Sequence, residues 1–246
     1  MPYRFASLGR KSARFPWRRL FPRRNVKLPR DFAMSIHEPV STRSVGEEQP
    51  RSCVAGWPYR FTVDQYHQMI ASGILTENDR VQLLEGEIVC MTPIGPLHRY
   101  AVQSAIRVLG KLLTPAWELM IQQPITIGNS EPEPDLSIVR SEAAFALDRH
   151  PGAADTALVI EVADSSLPLD RNRKQAIYAA AGIPEYWIVN LDQRSIEVYR
   201  EPTPAAAGGR AAYSVRQEFR AADAVPVCIA GQEIGKISVA EIVPKA

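Results

Sequence analysis

A run of seven residues, 157–163, constrains the fold most strongly, because it is apolar except for Glu161. A short, almost continuous apolar run is typical of a strand that is covered on both faces. Side chains alternate along a strand, so Glu161 shares a face with Val159 and Ala163 and is interior whichever face it takes. Burying an ionised carboxylate costs several kcal/mol unless a cation, a hydrogen-bond donor or a proton compensates it. The run therefore predicts a central strand that carries a carboxylate with a special partner.

Two further charged residues stand where apolar residues would be less costly. Asp135 opens the apolar segment 136–139 directly after a Glu-Pro-Glu-Pro sequence, which favours an extended backbone. Lys174 shares a helical face with Ile177 and Tyr178, and this face is expected to pack on the sheet. The lysine side chain should then point toward the ends of the strands rather than toward bulk water.

These charged residues are open to two interpretations. Two acids on neighbouring strands, with a lysine at their rim, can hold a hard divalent cation such as Mg²⁺. Such a site can activate water and polarise a phosphoryl oxygen, while the lysine stabilises charge on the phosphate. In the second interpretation Glu161 and Lys174 form a structural ion pair, and Asp135 is only a turn residue.

The remaining segments predict a mixed α/β domain. A capping-box pattern at Thr62 and Gln65 begins a short helix, and no Gly-rich phosphate loop occurs, which disfavours a doubly wound nucleotide-binding fold. The order of apolar patterns predicts a mixed central sheet flanked by helices, with β-hairpins added at both ends. The predicted elements are a hairpin at 81–91, a helix from about Leu97 to Pro115, strands at 136–139 and 186–189, a helix from an Asp170 cap to Ala181, and a hairpin around the loop 201–210.

Charge divides the chain into two parts. Residues 1–30 hold ten of the 29 basic side chains and no acid, so the rest carries 19 basic and 27 acidic groups. We therefore expect a basic, disordered leader at 1–58 and a folded domain at 59–246. The leader has no apolar core of a secretory signal; either translation starts at Met34, or the segment is a basic arm. The acidic domain should not attract nucleic acid through its mean field.

Cysteine and hydropathy patterns bound the cellular setting. The three cysteines are far apart and form no C-x-x-C pair, so a reducing cytoplasm is expected. No segment approaches the roughly 18 uninterrupted apolar residues of a membrane span, so no membrane association is expected.

Around these residues the sequence resembles the Uma-type branch of the PD-(D/E)XK nucleases, over about residues 60–200. The resemblance is carried by an ordered series: LEGEI at 84–88, Pro93 to His98, QPI at 123–125, EPDL at 133–136, IEVADSS at 160–166, Asp170 to Lys174 and YAAAGIPEYWIV at 178–189. It implies a restriction-endonuclease-like α/β fold and Mg²⁺- or Mn²⁺-dependent hydrolysis of phosphodiester bonds, with DNA as the expected substrate. Dimer formation is left open.

The resemblance also implies roles for individual residues. Asp135 and Glu161 would bind the metal, and Lys174 would act at the scissile phosphate or orient water. In the parent signature a lysine stands two residues after the acid, where this chain has Ala163; the Uma-type branch is similar to this chain in carrying its lysine on the next helix. Glu87 matches an acidic position of the family and would be a third metal ligand.

The histidines separate into two groups. His98, at the start of a predicted helix, is a candidate metal ligand, general base or helix cap. His67 and His150 show no partner pattern and are expected at the surface. Two rival functions stay open: a nuclease-fold module that binds nucleic acid or a protein without chemistry, and a hydrolase of another phosphoester.

Overall fold

In the computed structural model of the protein, the described residues are 58–207 and 209–243. The predicted leader, apart from Pro58, and the predicted start at Met34 lie outside them. In chain order the elements are α1 (Val63–Ala71), β1 (Val81–Leu84), β2 (Glu87–Cys90), α2 (Pro96–Leu109), β3 (Trp117–Ile121), β4 (Leu136–Arg140), α3 (Ser141–Ala144), a 3₁₀ turn (Ala153–Asp155), β5 (Thr156–Ala163), α4 (Leu167–Leu169), a π-helical turn (Asp170–Lys174), α5 (Gln175–Ala180), β6 (Glu185–Asn190), β7 (Ser195–Thr203), β8 (Ala212–Arg220), β9 (Ala224–Ile229), β10 (Gln232–Ser238) and α6 (Val239–Ile242).

Six strands form a mixed central sheet in the order β3-β4-β5-β6-β7-β8. Strands β5 and β6 pair in parallel, and the other neighbours pair antiparallel. A parallel pair needs a long crossover connection, which α4, the π-helical turn and α5 supply between β5 and β6. The predicted mixed sheet flanked by helices is confirmed.

Strand β5 lies inside this sheet, and all eight of its residues are buried. Ile160 and Val162 belong to the apolar cluster that includes the inner face of α2. Val159 and Ala163 belong to a second cluster, which includes the inner face of α5. Because of the alternation along the strand, Glu161 lies on the α5 side of the sheet, between Val159 and Ala163.

Two hairpins form separate two-stranded sheets, β1 with β2 and β9 with β10. The first is closed by Glu85 and Gly86, which both have positive φ, at 49° and 79°. A Cβ at Gly86 would lie 2.8 Å from Cβ of Arg60, so the turn needs glycine. The hairpin predicted around 201–210 also exists, but its strands β7 and β8 extend the central sheet, and β9–β10 is the separate C-terminal hairpin.

The predicted start of α1 agrees with the structure, whereas the predicted start of the helix that carries Lys174 does not. The capping box of α1 is present: the Gln65 amide donates to Thr62 Oγ1 at 3.2 Å, and the Thr62 amide donates to Gln65 Oε1 at 3.0 Å. The helix predicted to begin at Asp170 begins instead at Leu167. Asp170 lies in the π-helical turn, and its side chain is buried rather than capping a helix end. Among the described residues no helix combines the length and the apolar character that a membrane crossing needs.

Candidate functional site

Asp135 and Glu161 meet at one end of the β4–β5 pair. The antiparallel register pairs Leu136 with Ile160, so its continuation by one residue sets Asp135 opposite Glu161. The backbone amide of Val162 donates to Asp135 Oδ2 at 2.8 Å. This bond holds the carboxylate of Asp135 against β5, beside that of Glu161.

The carboxylate of Glu161 is buried and has two donors. Lys174 Nζ lies 2.9 Å from Glu161 Oε1, and the Tyr178 hydroxyl donates to the same oxygen at 2.8 Å. Within the described part of the chain both bonds fall on Oε1, which leaves the second oxygen, Oε2, for another partner. Burial raises the pKa of Glu161 to about 8; the charges of Asp170 and Asp135 raise it as well, against the opposing charge of Lys174.

Lys174 and Asp170 face each other one helical turn apart. Lys174 Nζ lies 3.8 Å from Asp170 Oδ1, and both side chains are almost fully buried. Burial opposes the charge on Lys174, but the neighbouring carboxylates outweigh it and raise the pKa of the ammonium. Asp170 Oδ2 accepts a hydrogen bond from Ser166 Oγ at 2.6 Å, whereas Oδ1 is buried and has no hydrogen-bond partner within the described part of the chain. Burial raises the pKa of Asp170.

His98 reaches the same place from the first turn of α2. Its Nε2 lies 3.1 Å from Asp135 Oδ2. Burial opposes protonation of the ring, but the hydrogen bond and charge of Asp135 outweigh it, and the pKa of His98 is raised. The other ring nitrogen, Nδ1, is buried without a hydrogen-bond partner among the described residues. The imidazole is therefore oriented by Asp135 and is not a simple helix cap.

All five of these side chains, namely Asp135, Glu161, Lys174, Asp170 and His98, line one pocket of about 270 Å³. Sequence reasoning missed Asp170 as a pocket residue, although its spacing of four from Lys174 on a helix was a usable signal. It also missed Glu133, a pocket residue whose pKa burial and the charge of Glu131 raise. Its position two residues before Asp135 in an extended segment could have indicated it.

Glu87 does not join this group. Its carboxylate lies 2.9 Å from Arg60 Nη1 and 2.7 Å from Arg173 Nη2, and it is not among the residues that line the pocket. Arg173 precedes Lys174, and consecutive helical residues point in directions about 100° apart. Glu87 therefore meets the arginine on one side of the helical segment, while Lys174 enters the pocket on another.

The expectation that His67 and His150 lie at the surface is confirmed, since neither is buried, but both have partners that the sequence did not indicate. His67 Nε2 lies 2.7 Å from Glu131 Oε1, and the His67 and His150 rings have centroids 5.9 Å apart. These residues are 64 and 19 positions apart along the chain from Glu131, so no local pattern could have joined them. None of them lines the pocket of Glu161.

The pocket fits a hard divalent cation. Asp135 and Glu161 supply carboxylate oxygens, and Oδ1 of Asp170, which has no hydrogen-bond partner among the described residues, is a further acceptor. Mg²⁺ is commonly bound by one or two carboxylates with waters completing its shell, so three protein ligands in contact are not required. In the absence of a metal the Lys174 ammonium partly neutralises the same carboxylates, and this contact is also what the structural ion-pair interpretation expects.

Comparisons with known proteins agree with this fold. A family model described as "Uma2: Putative restriction endonuclease" matches residues 63–227. A search of curated proteins gave no match. A crystal structure described as a putative nuclease belonging to DUF820, from Anabaena variabilis ATCC 29413, is similar with a TM-score of 0.55 at 16% identity, over 74% of this chain and 97% of that chain. At that identity the likeness shows the fold, whereas the match over 63–227 shows the family. The chain belongs to the Uma2 family of putative restriction endonucleases.

Proposed function

We propose that the protein is a metal-dependent endonuclease that hydrolyses phosphodiester bonds in DNA. The observation that carries the proposal is the state of Glu161, a buried carboxylate beside Asp135 and Lys174 at the wall of an open pocket. Its pKa is raised to about 8, so the two donors offset only part of the cost of burying its charge. Perturbed carboxylates of this kind, grouped in a cleft, are typical of functional sites.

Asp135 and Glu161 are the proposed metal ligands. Mg²⁺ or Mn²⁺ bound there would supply positive charge for a phosphoryl oxygen and lower the pKa of a bound water. The bond from the Val162 amide fixes the Asp135 carboxylate at the strand end. Glu87 has no part in this proposal, because Arg60 and Arg173 hold it elsewhere.

Lys174 and His98 are proposed to assist the hydrolysis from the pocket wall. Lys174 places a buried ammonium at the pocket wall, where it can stabilise charge that develops on the scissile phosphate or orient the water. His98 is oriented by Asp135 through Nε2 and can move a proton there or keep the carboxylate in place. Its raised pKa means that more of the ring is protonated at neutral pH than in a free histidine.

Plasmid nicking tests the proposal. Purified protein is incubated with supercoiled plasmid and Mg²⁺ or Mn²⁺, with the metal chelated in a parallel sample, and the Glu161→Gln variant is treated alike. We expect nicking by the wild type only with metal, and none by the variant, because the amide keeps the shape of the side chain but not its charge. Nicking that survives chelation, or that is equal in both proteins, would contradict the proposal.

The direct contact between Lys174 and Glu161 favours a second candidate function, namely binding without hydrolysis. Both side chains are buried and 2.9 Å apart, an arrangement that a structural ion pair would also adopt. In that case the fold would serve to bind nucleic acid or a protein without hydrolysis. A wild type whose melting temperature does not respond to millimolar Mg²⁺ or Mn²⁺, and which retains plasmid without nicking it, would favour this candidate.

A further inference from the structure

A second polar cluster lies outside the pocket of Glu161. It joins His67 from α1, Glu131 from the segment between β3 and β4, and His150 from the segment before β5. One ligand atom from each residue lies within 4.8 Å of the others, and within the described ranges this is the only such group of three His, Cys, Asp or Glu side chains. The cluster therefore brings together three separate segments of the chain.

Glu131 is the buried centre of this cluster. Its side chain is 4% exposed, and among the described residues its salt-bridge partner is His67, which is charged only when protonated. His67 Nε2 lies 2.7 Å from Oε1 and 3.0 Å from Oε2, and Thr126 Oγ1 donates to Oε2 at 2.8 Å. A buried carboxylate without a permanent cation is costly, so this arrangement favours a positive ligand.

We propose that His67, Glu131 and His150 bind a divalent transition-metal ion of the Zn²⁺ class. Two imidazoles and one carboxylate suit Zn²⁺, whereas Mg²⁺ prefers an all-oxygen shell. Zn²⁺ bonds of about 2.0–2.1 Å hold tetrahedral ligand atoms about 3.4 Å apart. The observed separations, from 2.7 Å to at most 4.8 Å, bracket this value. His67 and His150 line an open cavity, which leaves room for water at the fourth position.

Thr126 holds two of the segments of this cluster in place. Thr126 binds Glu131 through its hydroxyl, and its backbone amide donates to the carbonyl of Pro151 at 2.9 Å, next to His150. Such outer partners orient the ligands of metal sites. The metal would connect α1 to the two segments that lead into β4 and β5, and thereby stabilise the packing of the N-terminal helix of the domain.

Zinc binding to the full-length Glu161→Gln protein tests this proposal independently of nuclease activity, because that background lacks a complete Mg²⁺ site. The metal is removed with a chelator, and Zn²⁺ or Mg²⁺ is titrated while melting temperature and stoichiometry are followed. Co²⁺ absorption then reports the coordination geometry. We expect one equivalent of Zn²⁺ to raise the melting temperature, Co²⁺ to show the strong bands of a four-coordinate site, and Mg²⁺ to have no effect in this background.

Three variants locate the ion. His150→Ala should weaken Zn²⁺ binding at least about 100-fold, and Thr126→Val, which removes only a hydroxyl, about 10–100-fold. Gln68→Ala changes an exposed residue of the same helix α1 that is not one of the three ligands, and it should leave the affinity unchanged. Thr126→Val keeps the test decisive if His150→Ala fails to fold. The absence of a zinc-dependent shift, or equal affinity in Thr126→Val and the parent, would overturn the proposal.

Discussion

Two buried glutamates of the same sheet, Glu161 on β5 and Glu197 on β7, have opposite electrostatics. Burial opposes the charge on Glu197, yet hydrogen bonds from Arg171, Tyr199, Asn190 and Arg216 overcome it and lower the pKa to about 2. Burial dominates at Glu161, whose donors are Lys174 and Tyr178, and raises the pKa to about 8. Both side chains are almost inaccessible to solvent, but Glu161 lies deeper in the protein and has fewer charged donors.

The contrast supports the proposal that Glu161 binds a metal, whereas Glu197 is a structural carboxylate. Arg171 donates from Nε to both oxygens of Glu197 at 3.1 Å, and Tyr199 donates to Oε2 at 2.6 Å, so both oxygens are occupied. At Glu161 both donors bind Oε1, and the acids Asp135 and Asp170 lie nearby. Glu197 needs no further ligand, whereas Glu161, under the proposed function, would be stabilised by an added cation.

The largest expected difference is in catalysis. Glu161→Gln should abolish metal-dependent nicking, whereas Glu197→Gln should keep the wild-type rate per folded molecule, because its carboxylate lies outside the pocket. Nicking rates divided by the folded fraction from circular dichroism make the comparison. A similar loss in both variants would show that the two sites do not differ in the way we infer.

Lys174→Met, which keeps the aliphatic stem, sharpens the comparison on the side of Glu161. We expect a rate loss of about 10²-fold, as for a lost charge-stabilising group. The melting temperature should change little, because Glu161 can take up a proton when the ammonium is removed. Rate and melting temperature are measured on the same preparation. An intact rate with a large fall in melting temperature would favour the structural ion pair.

The loss of stability should be larger for the Glu197 variant than for the Glu161 variant, which is the reverse of the order expected for activity. Glu197→Gln should lower the free energy of unfolding by about 1–3 kcal/mol, because it leaves the donors around it poorly paired. Glu161→Gln should lower it less or not at all, since it removes one acid from a group in which three face one lysine. Urea unfolding at pH 7 measures both variants. A larger loss in Glu161→Gln would break the comparison.

The contributions of Glu197 and Glu161 to the free energy of unfolding should change in opposite directions with pH. The folded-state pKa of Glu197 is lowered, so its contribution is present above pH 4.5 and is lost as the pH falls toward 2. The folded-state pKa of Glu161 is raised, so the folded protein binds the extra proton, and wild-type stability declines as the pH rises from about 4.5 through 8. Glu161→Gln should therefore gain on wild type across that window, and unfolding curves at several pH values would reveal a missing or reversed trend.

The smallest expected effect concerns Asp135. Mg²⁺ at tenfold its dissociation constant should stabilise the wild type by about 1.4 kcal/mol. Asp135→Asn should gain little, because half of the anionic ligand set is lost. Without metal the variant should melt no lower than wild type, since an amide oxygen can still accept the bond from the Val162 amide. Four melting curves decide the matter, and equal Mg²⁺ responses would remove Asp135 from the proposed ligands.

Local patterns in the sequence determined the strand that carries Glu161, the capping box of α1 and the helix face shared by Lys174 and Tyr178. Each of these rests on a period of two or 3.6 residues, or on contacts within one helical turn, which the sequence states directly. The roles of Asp135, Glu161, Lys174 and His98 in the reaction stay predictions, although the structure brings all four to one pocket.

Only the tertiary structure decided which distant side chains meet. It placed Glu87 against Arg60 and Arg173, and it joined His67 to Glu131 across 64 residues. It also supplied Glu197 with arginines and left Glu161 short of donors, although both are acids in strands of the same sheet. Such contacts depend on strand order, register and the rotation of a helix on its sheet. A residue's own neighbours in sequence do not specify these quantities, because they are set by the packing of the whole domain.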